Sequence, residues 1–498
     1  MELARIFLAN ACDAAPSGRE SIVTKPMVSP ESPALKALTR AVKGSVVLPG
    51  DGDYDKLRTP WLEVMEQHPA LIVEAAGVED VVAAVDFARN EGLHLGVMAT
   101  GHGIAAPCDG LLLRFAKMND IVVDTKRNIA TVGPGVISSE LLDATEKYDL
   151  IYPAGQVGNV GVTGYSLGGG IGWLARKLGV AADWIVGANV VLANGSVVRA
   201  DEVDNPDLFW ALRGGGGNFG IVVSLEIALT PLAGVVGGEL YYPLERAAEL
   251  LRFYRNWSSQ LSNETSTIFR LVAIPPASTA PSEIRGQTVC MIGVCHADPK
   301  TADAVLEPLE QLGKPLRRDV KKRSIASMAG LDPASHSAGA PAYGQIEYLK
   351  DFSDDVIDGL ARLAQTMIPP IMQFEVQQLG GALVGSSTER RGAFEPFSAA
   401  YLLHLESPAM NATLAEIAIA TTDAFAALGD VYTGEKYYNF LRADELPHIE
   451  RAFGEEKFAR LRQLKKRYDP SNFFHLNLNV APAERPSAEA SGVRTPAS

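Results

Sequence analysis

Apolar positions along the chain fall into short blocks whose internal spacing identifies elements. After Pro69, residues 70–75 are apolar apart from Glu74 and read as a strand. Val78, Val81, Val82 and Val85 then recur at helical spacing, which predicts a helix to about Asn90. Further strands are expected at 93–98, 110–115, 121–124 and 129–132, followed by a helix over 138–148. The segments 184–192 and 196–199 flank Asn194-Gly195, a strong hairpin signal. A short helix at 207–212 and a strand at 221–229 complete this half.

Past Pro231 the segments lengthen and the glycine clusters stop. Strands are expected at 235–242, 266–274, 287–294, 343–348 and 373–379, separated by helices near 244–260, 300–312, 353–367 and 411–427. That order suits an antiparallel sheet covered by helices. The fold class is therefore read as α+β. A division at 35–231, 232–430 and 431–482 follows, the last piece being too short to stand alone and so packing back on another. Residues 1–33 read as an irregular lead-in. The stretch 483–498, rich in Pro, Ala, Ser and Glu, reads as a disordered tail.

One segment resists this scheme. From Ala154 to Trp173 glycine dominates, yet Val157, Val160, Val162, Leu167, Ile171 and Trp173 are interleaved and call for burial. A mobile linker would not carry them. A rigid loop whose backbone N–H groups face an anionic ligand fits better. Other glycine-bearing loops occur at Thr100–Gly103, Gly133–Gly135 and Gly214–Gly220. None has the G-x-G-x-x-G placement of a Rossmann fold, and no Walker A sequence is present. Several loops around one ligand imply something long and polar, such as a dinucleotide.

Composition narrows the alternatives. The 498 residues are 47% apolar and 21% charged, ordinary for a globular protein. A net charge of −14 disfavours nucleic acid as a partner and offers no basic face to a membrane. The basic cluster Arg317-Arg318 and Lys321-Lys322-Arg323 reads as a solvated helix face or loop. Four scattered cysteines without a C-x-x-C pair, and eight histidines without H-E-x-x-H spacing, predict no metal site. No apolar run approaches the ~20 residues of a membrane span. The short apolar patch at 6–11 lacks a processing site, so the expected location is cytoplasmic.

The ordered motifs Thr100-Gly101-His102-Gly103, Val132-Gly133-Pro134-Gly135, Val160-Gly161-Val162-Thr163-Gly164-Tyr165-Ser166-Leu167-Gly168-Gly169-Gly170, Leu208-Phe209-Trp210-Ala211-Leu212-Arg213 with its glycines, and Tyr468-Asp469-Pro470-Ser471-Asn472-Phe473-Phe474 together resemble the berberine bridge enzyme-like flavin oxidases. These belong to the wider vanillyl-alcohol oxidase, or PCMH-type, group of FAD proteins. The resemblance covers about residues 35–482 and is dense at 69–231 and 432–482. It implies a two-part PCMH-type FAD-binding domain, a substrate domain whose antiparallel sheet lies over the flavin, and a C-terminal segment folded back on the first.

What the resemblance implies can be carried over residue by residue. His102 matches the position that bonds to the flavin 8α-methyl group; the alternative is a histidine that merely hydrogen-bonds pyrophosphate or backbone. Thr100, Gly101, Gly103, Gly155, Gly161, Gly164, Tyr165, Gly168, Gly169 and Gly170, with Gly220, Ile221 and Val222, should line the FAD, its glycines wrapping the pyrophosphate and ribityl chain with a helix following Gly170. Val157 stands where many members carry a second, cysteinyl link, so a single covalent bond is expected, and Cys108 reads as a plain buried thiol. Met98 replaces the arginine of the family pattern. Val160 matches the residue that gates oxygen, and a small side chain there goes with oxidases.

Tyr437 aligns with a tyrosine that often serves as base, although Tyr438 leaves the register open by one. A strand there would turn the two to opposite faces. Glu375 is a second base candidate or a solvated strand residue. Asn477 and Asn479 match a closing pair that touches the flavin region, or they cap a turn. The implied activity is FAD-dependent oxidation of an alcohol, amine or activated C–H group of a small organic molecule, sugar or specialised metabolite. O2 would accept the electrons and give H2O2. The rivals are a dehydrogenase with another acceptor and a flavin-binding protein without turnover.

Overall fold

The computed structural model describes residues 28–484, except 64–65, 104–105, 332–340, 386–391 and 411. The first sheet comprises β1 (Ser45–Val47), β2 (Leu71–Glu74), β3 (Leu95–Met98) and β4 (Leu111–Arg114), in the order β1-β2-β4-β3. The pairs β2–β4 and β3–β4 are parallel. The helix Val78–Asn90 makes the crossover between β2 and β3, burying Val81, Ala84, Val85 and Ala88 against Leu71, Val73, Leu111 and Leu113. This is the helical spacing that the valines predicted.

The next strands are β5 (Ile121–Asp124), β6 (Ile129–Val132), the two-residue β7 (Leu150–Ile151), β8 (Ile185–Val191), β9 (Val197–Ala200), β10 (Ile221–Ala228) and the two-residue β11 (Thr230–Pro231). Five of them form an antiparallel sheet in the order β5-β6-β10-β8-β9, while β7 and β11 pair with each other. Gly195 takes φ +83 in the turn between β8 and β9, as Asn194-Gly195 demands.

The third sheet is antiparallel throughout, with β12 (Val235–Pro243), β13 (Thr265–Ala273), β14 (Thr288–His296), β15 (Arg317–Arg323), β16 (Ala342–Leu349), β17 (Gln373–Gln378) and β18 (Tyr401–Pro408). Their order is β15-β12-β14-β13-β17-β18-β16. Phe269, Ile292, Phe374, Val376 and Leu403 on one face pack on helices Ala247–Ser258, Asp354–Met367 and Leu414–Ala427. The opposite face meets the first half of the chain: Ile268 and Met291 join the core of Trp173 and Leu174, and Ile346, Tyr348 and Leu402 join that of Ile171 and Tyr437.

Two expectations are corrected here. The basic cluster 317–323 is the edge strand β15, with Arg318, Lys321 and Lys322 facing water as edge strands require and Arg323 folded onto Asp319 and the Gly237 carbonyl. No helix follows Gly170 directly; the helix Val162–Leu167 precedes the glycines and Gly168 caps its C-terminus. Among the described residues no helix is long and apolar enough to cross a membrane.

The C-terminal segment returns across both early sheets. Phe474 packs with Val191, Ile221 and Val223, and Leu476 bridges to Gly96 of β3. Its anchor is the fully buried Lys465 ammonium, which donates to Asp469 Oδ2 at 2.7 Å, to the Asn218 carbonyl at 2.7 Å and to the Phe474 carbonyl at 2.9 Å. The Asp469 carboxylate also accepts the Phe473 and Phe474 N–H groups at 2.8 and 2.9 Å. Removing one partner strands a buried charge, so Asp469→Ala should lower unfolding stability by about 3–5 kcal/mol in denaturant titration. A loss under about 1 kcal/mol would show that the pair anchors nothing.

Candidate functional site

The loop after β3 is built by close approach. Gly101 takes φ +82, and a Cβ there would sit 2.7 Å from Pro60 Cα. Trp61 and Leu62 N–H groups donate to the Thr100 and Gly101 carbonyls, both at 3.1 Å. This short ladder lays the Trp61 ring on the His102 imidazole, with centroids 4.2 Å apart and planes 14° from parallel. His102 Nδ1 lies 2.9 Å from Thr100 Oγ1, and Nε2 lies 3.1 Å from Asn159 Oδ1. Burial holds the imidazole pKa down at about 4, so the ring is neutral at ordinary pH.

Thr100 and His102 thereby join the loop after β3 to the glycine-rich one. Thr100 Oγ1 also accepts the Gly161 N–H at 3.4 Å. Backbone bonds from Ser138 N–H to the Val160 carbonyl (2.9 Å) and from Ser139 N–H to the Gly158 carbonyl (2.8 Å) hold residues 158–160 against the start of the helix Ser138–Thr145. Val160 is half-buried in this position, and so is Val157. Cys108 lies buried against Gly96 with its pKa pushed up to about 11, an inert thiol as expected.

The glycines divide into two groups by what a side chain would meet. A Cβ on Gly103, Gly164 or Gly217 would enter open space. Gly161 has only ordinary contacts with Ala99 and Thr100, at 3.5 Å and beyond. By contrast, Gly168 faces Asn439 Oδ1 at 1.8 Å, Gly169 the Tyr437 ring at 2.9 Å, and Gly170 the Tyr165 ring at 2.6 Å. Gly155 also lies under the Tyr165 ring, at 3.1 Å. Gly168 and Gly169 are thus required by the returning C-terminal segment, and Gly170 by Tyr165 and Ala181. Gly220 is forced by Val190, 2.5 Å from its would-be Cβ. Ile221 and Val222 point into cores and leave only backbone at the surface of β10.

Tyr437 and Tyr438 do not lie in a strand. Tyr437 leads into a single 3-10 turn over Tyr438–Phe440. The Tyr437 hydroxyl accepts the Gly170 N–H at 2.6 Å and the Asn439 amide at 3.0 Å. Burial raises its pKa, so the phenol keeps its proton, which neither of these bonds uses. The Tyr438 hydroxyl donates to the Leu478 carbonyl at 3.0 Å and accepts from Asn218 Nδ2 at 3.1 Å, deep beside Gly216. Asn439 Nδ2 further donates to the Tyr165 carbonyl at 2.9 Å.

Glu375 is not a solvated strand residue. It is 5% exposed on the sheet face turned away from the helices and is bonded to Arg270, its cross-strand partner on β13, itself 7% exposed. The Tyr241 hydroxyl, bonded to Glu239, lies on the same face.

Whether these residues suit FAD can be tested on their unmet valences. Trp61 Nε1, Thr163 Oγ1, Ser166 Oγ, Asn477 Oδ1 and Asn479 Oδ1 are all buried without a protein partner. Each such atom costs about 1–3 kcal/mol unless something bound satisfies it. Thr163 and Ser166 flank the open Gly164, Trp61 stacks on His102 beside the open Gly103, and Asn477 Nδ2 bonds the carbonyl of the open Gly217 at 3.2 Å. An elongated polar ligand fits that set. No group of three or more metal-ligating side chains occurs among the described residues. A cleft of about 930 Å3 elsewhere is lined by Arg176, Arg199, Arg213, Asp201 and Glu226. Arg199 there is bound to Glu226 and Asp201, and Arg176 to the Ser262 and Thr265 carbonyls.

Trp61 and Asn159 were not singled out from sequence. Asn159 lies inside the glycine-rich loop, whereas Trp61 comes from a segment with no motif.

Comparison with known proteins agrees with this geometry. Residues 69–201 match a family described as FAD binding domain, and residues 436–481 match one described as berberine and berberine like. The (R)-6-hydroxynicotine oxidase of Paenarthrobacter nicotinovorans is 27% identical over 89% of this chain and 97% of its own. The xylooligosaccharide oxidase of Thermothelomyces thermophilus is 40% identical, over 34% of this chain and 35% of its own. Among solved structures, 6-hydroxy-D-nicotine oxidase from Arthrobacter nicotinovorans superposes with TM-score 0.78 at 24% identity, covering 89% of this chain and 98% of that one. A berberine bridge enzyme-like protein of Physcomitrella patens gives 0.77 at 19% identity, covering 91% and 100%. These two share the fold. The chain thus carries an FAD binding domain at 69–201 and a berberine-like region at 436–481, one at each end of the cradle, and is similar over most of its length to FAD-linked oxidoreductases of the berberine bridge enzyme-like type.

Proposed function

We propose that this enzyme is an FAD-dependent oxidase that removes two electrons from a small organic molecule and passes them to O2. The observation that carries the reading is the meeting of the His102 loop, the 155–165 loop and the returning segment 473–480 around unsatisfied polar atoms. When bound, FAD would supply the hydride acceptor and the route of electrons to oxygen. The chain supplies the rest.

His102, neutral and half-buried, retains a lone pair and is the residue we assign to covalent attachment, as the only link, since Val157 has no nucleophile. Thr100, Gly161, Gly164, Asn477 and Asn479 would hold the cofactor through backbone and amide groups. Val160 would leave room for oxygen where a larger side chain would close it.

For the substrate, Tyr437 is the better placed of the two tyrosines. The Tyr438 hydroxyl is spent on Asn218 and Leu478, while Tyr437 keeps an uncommitted proton on an oxygen fixed by two donors. Tyr437 would donate a hydrogen bond and so orient the substrate. Glu375, held by Arg270, is the candidate to accept the proton lost by the substrate's hydroxyl or amine. Whole-length similarity to a 6-hydroxynicotine oxidase and partial similarity to a xylooligosaccharide oxidase make N-heterocyclic amines and oligosaccharides the first compounds to try.

Peroxide release and anaerobic bleaching should identify at least one such compound. Bleaching without reoxidation in air would instead mark a dehydrogenase. His102→Ala should free the flavin on acid precipitation; flavin still attached would mean that another residue forms the bond. Val160→Leu should slow reoxidation by air about tenfold or more with substrate reduction unchanged, a barrier increase of about 1.4 kcal/mol. An unaltered rate would remove Val160 from oxygen access.

A further inference from the structure

The environment of His102 is more specific than attachment alone requires. Asn159 Oδ1 can only accept, and it lies 3.1 Å from Nε2. A neutral ring satisfying it must carry its proton on Nε2. Nδ1 then holds the lone pair, facing the Thr100 hydroxyl at 2.9 Å. The ring plane is fixed separately by Trp61, stacked at 4.2 Å and itself tied to Thr100 and Gly101 by backbone bonds. Trp61 Nε1 is buried with no protein partner, an N–H left for something bound beside His102.

We propose that Trp61 and Asn159 are positioning residues that present His102 to the cofactor as the Nε2–H tautomer, so that the bond forms through Nδ1. Trp61 in addition donates its indole N–H to the bound cofactor. The inference rests on covalent attachment at His102 for its consequence, but its geometric content stands in the protein before any bond forms. Burial, which keeps the imidazole neutral, supports it. The step balances as follows. One C–H bond of the 8α-methyl group is lost and one C–N bond forms to Nδ1, leaving a cationic ring that keeps its Nε2–H. The methyl hydrogen leaves with two electrons and, with one proton from solvent, reduces O2 to H2O2. Asn159 accepts the Nε2–H throughout, which favours the charged ring as Nδ1 becomes bonded.

The test uses full-length protein produced without flavin and then supplied with FAD. Nitrogen NMR of isotope-labelled histidine should report Nε2–H for His102 in the wild type and a mixture of tautomers in Asn159→Leu. Covalent incorporation, read as flavin that stays with the acid-precipitated chain, should slow by up to about 100-fold in Asn159→Leu and Trp61→Leu. Trp61→Phe, which keeps the aromatic plane but loses the indole N–H, should fall between the wild type and Trp61→Leu. Wild-type incorporation rates in both leucine variants, or an Nδ1–H His102 in the wild type, would overturn the proposal. Should wild-type flavin dissolve in acid, covalent attachment alone would fail, and the tautomer would decide the clamp: Nε2–H supports it and Nδ1–H contradicts it. If a leucine variant fails to bind FAD or to melt cooperatively, the wild-type tautomer remains the deciding result.

Discussion

A buried ammonium group fixes the architecture of the cradle. Lys465 lies in the helix Glu455–Tyr468 with no access to water, and a charge in that position persists only if it is fully bonded. Its three partners come from separate places: the glycine turn before β10 through the Asn218 carbonyl, the end of its own helix through Asp469, and the returning strip through Phe474. Asn218 extends the same node. Its side chain donates to Gly215, Tyr438 and Leu478 and accepts the Val480 N–H. One buried charge and one amide therefore fasten the last part of the chain to the sheet that leads into the cofactor region.

Other features of the site follow from that attachment. With the returning segment held, Tyr437, Tyr438 and Asn439 press onto Gly168, Gly169 and Gly216, leaving no room for a Cβ. The helix Val162–Leu167 is stopped at Gly168, and its neighbouring loop is left to face His102. The sheet of the second half closes over this assembly through Trp173, Ile171 and Tyr437. That leaves the Arg270–Glu375 pair on the face toward the first half of the chain.

Much of this was legible in the sequence because it is local. The valine spacing of 78–85, the Asn194-Gly195 turn and the strand expected at 373–379 each match the element found, the last as Gln373–Gln378. The motif order was enough to point to the FAD binding and berberine-like regions that the comparisons match. What was not legible depends on distant contacts. The strand at 317–323 carries one apolar residue, Val320, because an edge strand meets water, so no alternation announces it. The triple glycine looked like a phosphate cradle, yet Gly168 and Gly169 are constrained by Tyr437, Tyr438 and Asn439 some 270 positions later, and Gly170 by Tyr165 and Ala181. Tyr437 and Tyr438 were separated in role by their partners rather than by strand alternation. The Trp61 stack on His102 has no sequence signal, since it arises from a backbone ladder between segments forty residues apart.

On this reading the chain holds a flavin in the cradle between the FAD binding domain and the berberine-like region. The Trp61 stack, the buried unpaired donors and acceptors and the neutral histidine together fit such a ligand in the working protein. The most direct measurement is the absorption spectrum of the natively purified full-length chain, before and after addition of FAD. The account predicts a yellow protein with stoichiometric flavin that bleaches with substrate under nitrogen. A colourless protein that takes up no added FAD would contradict it.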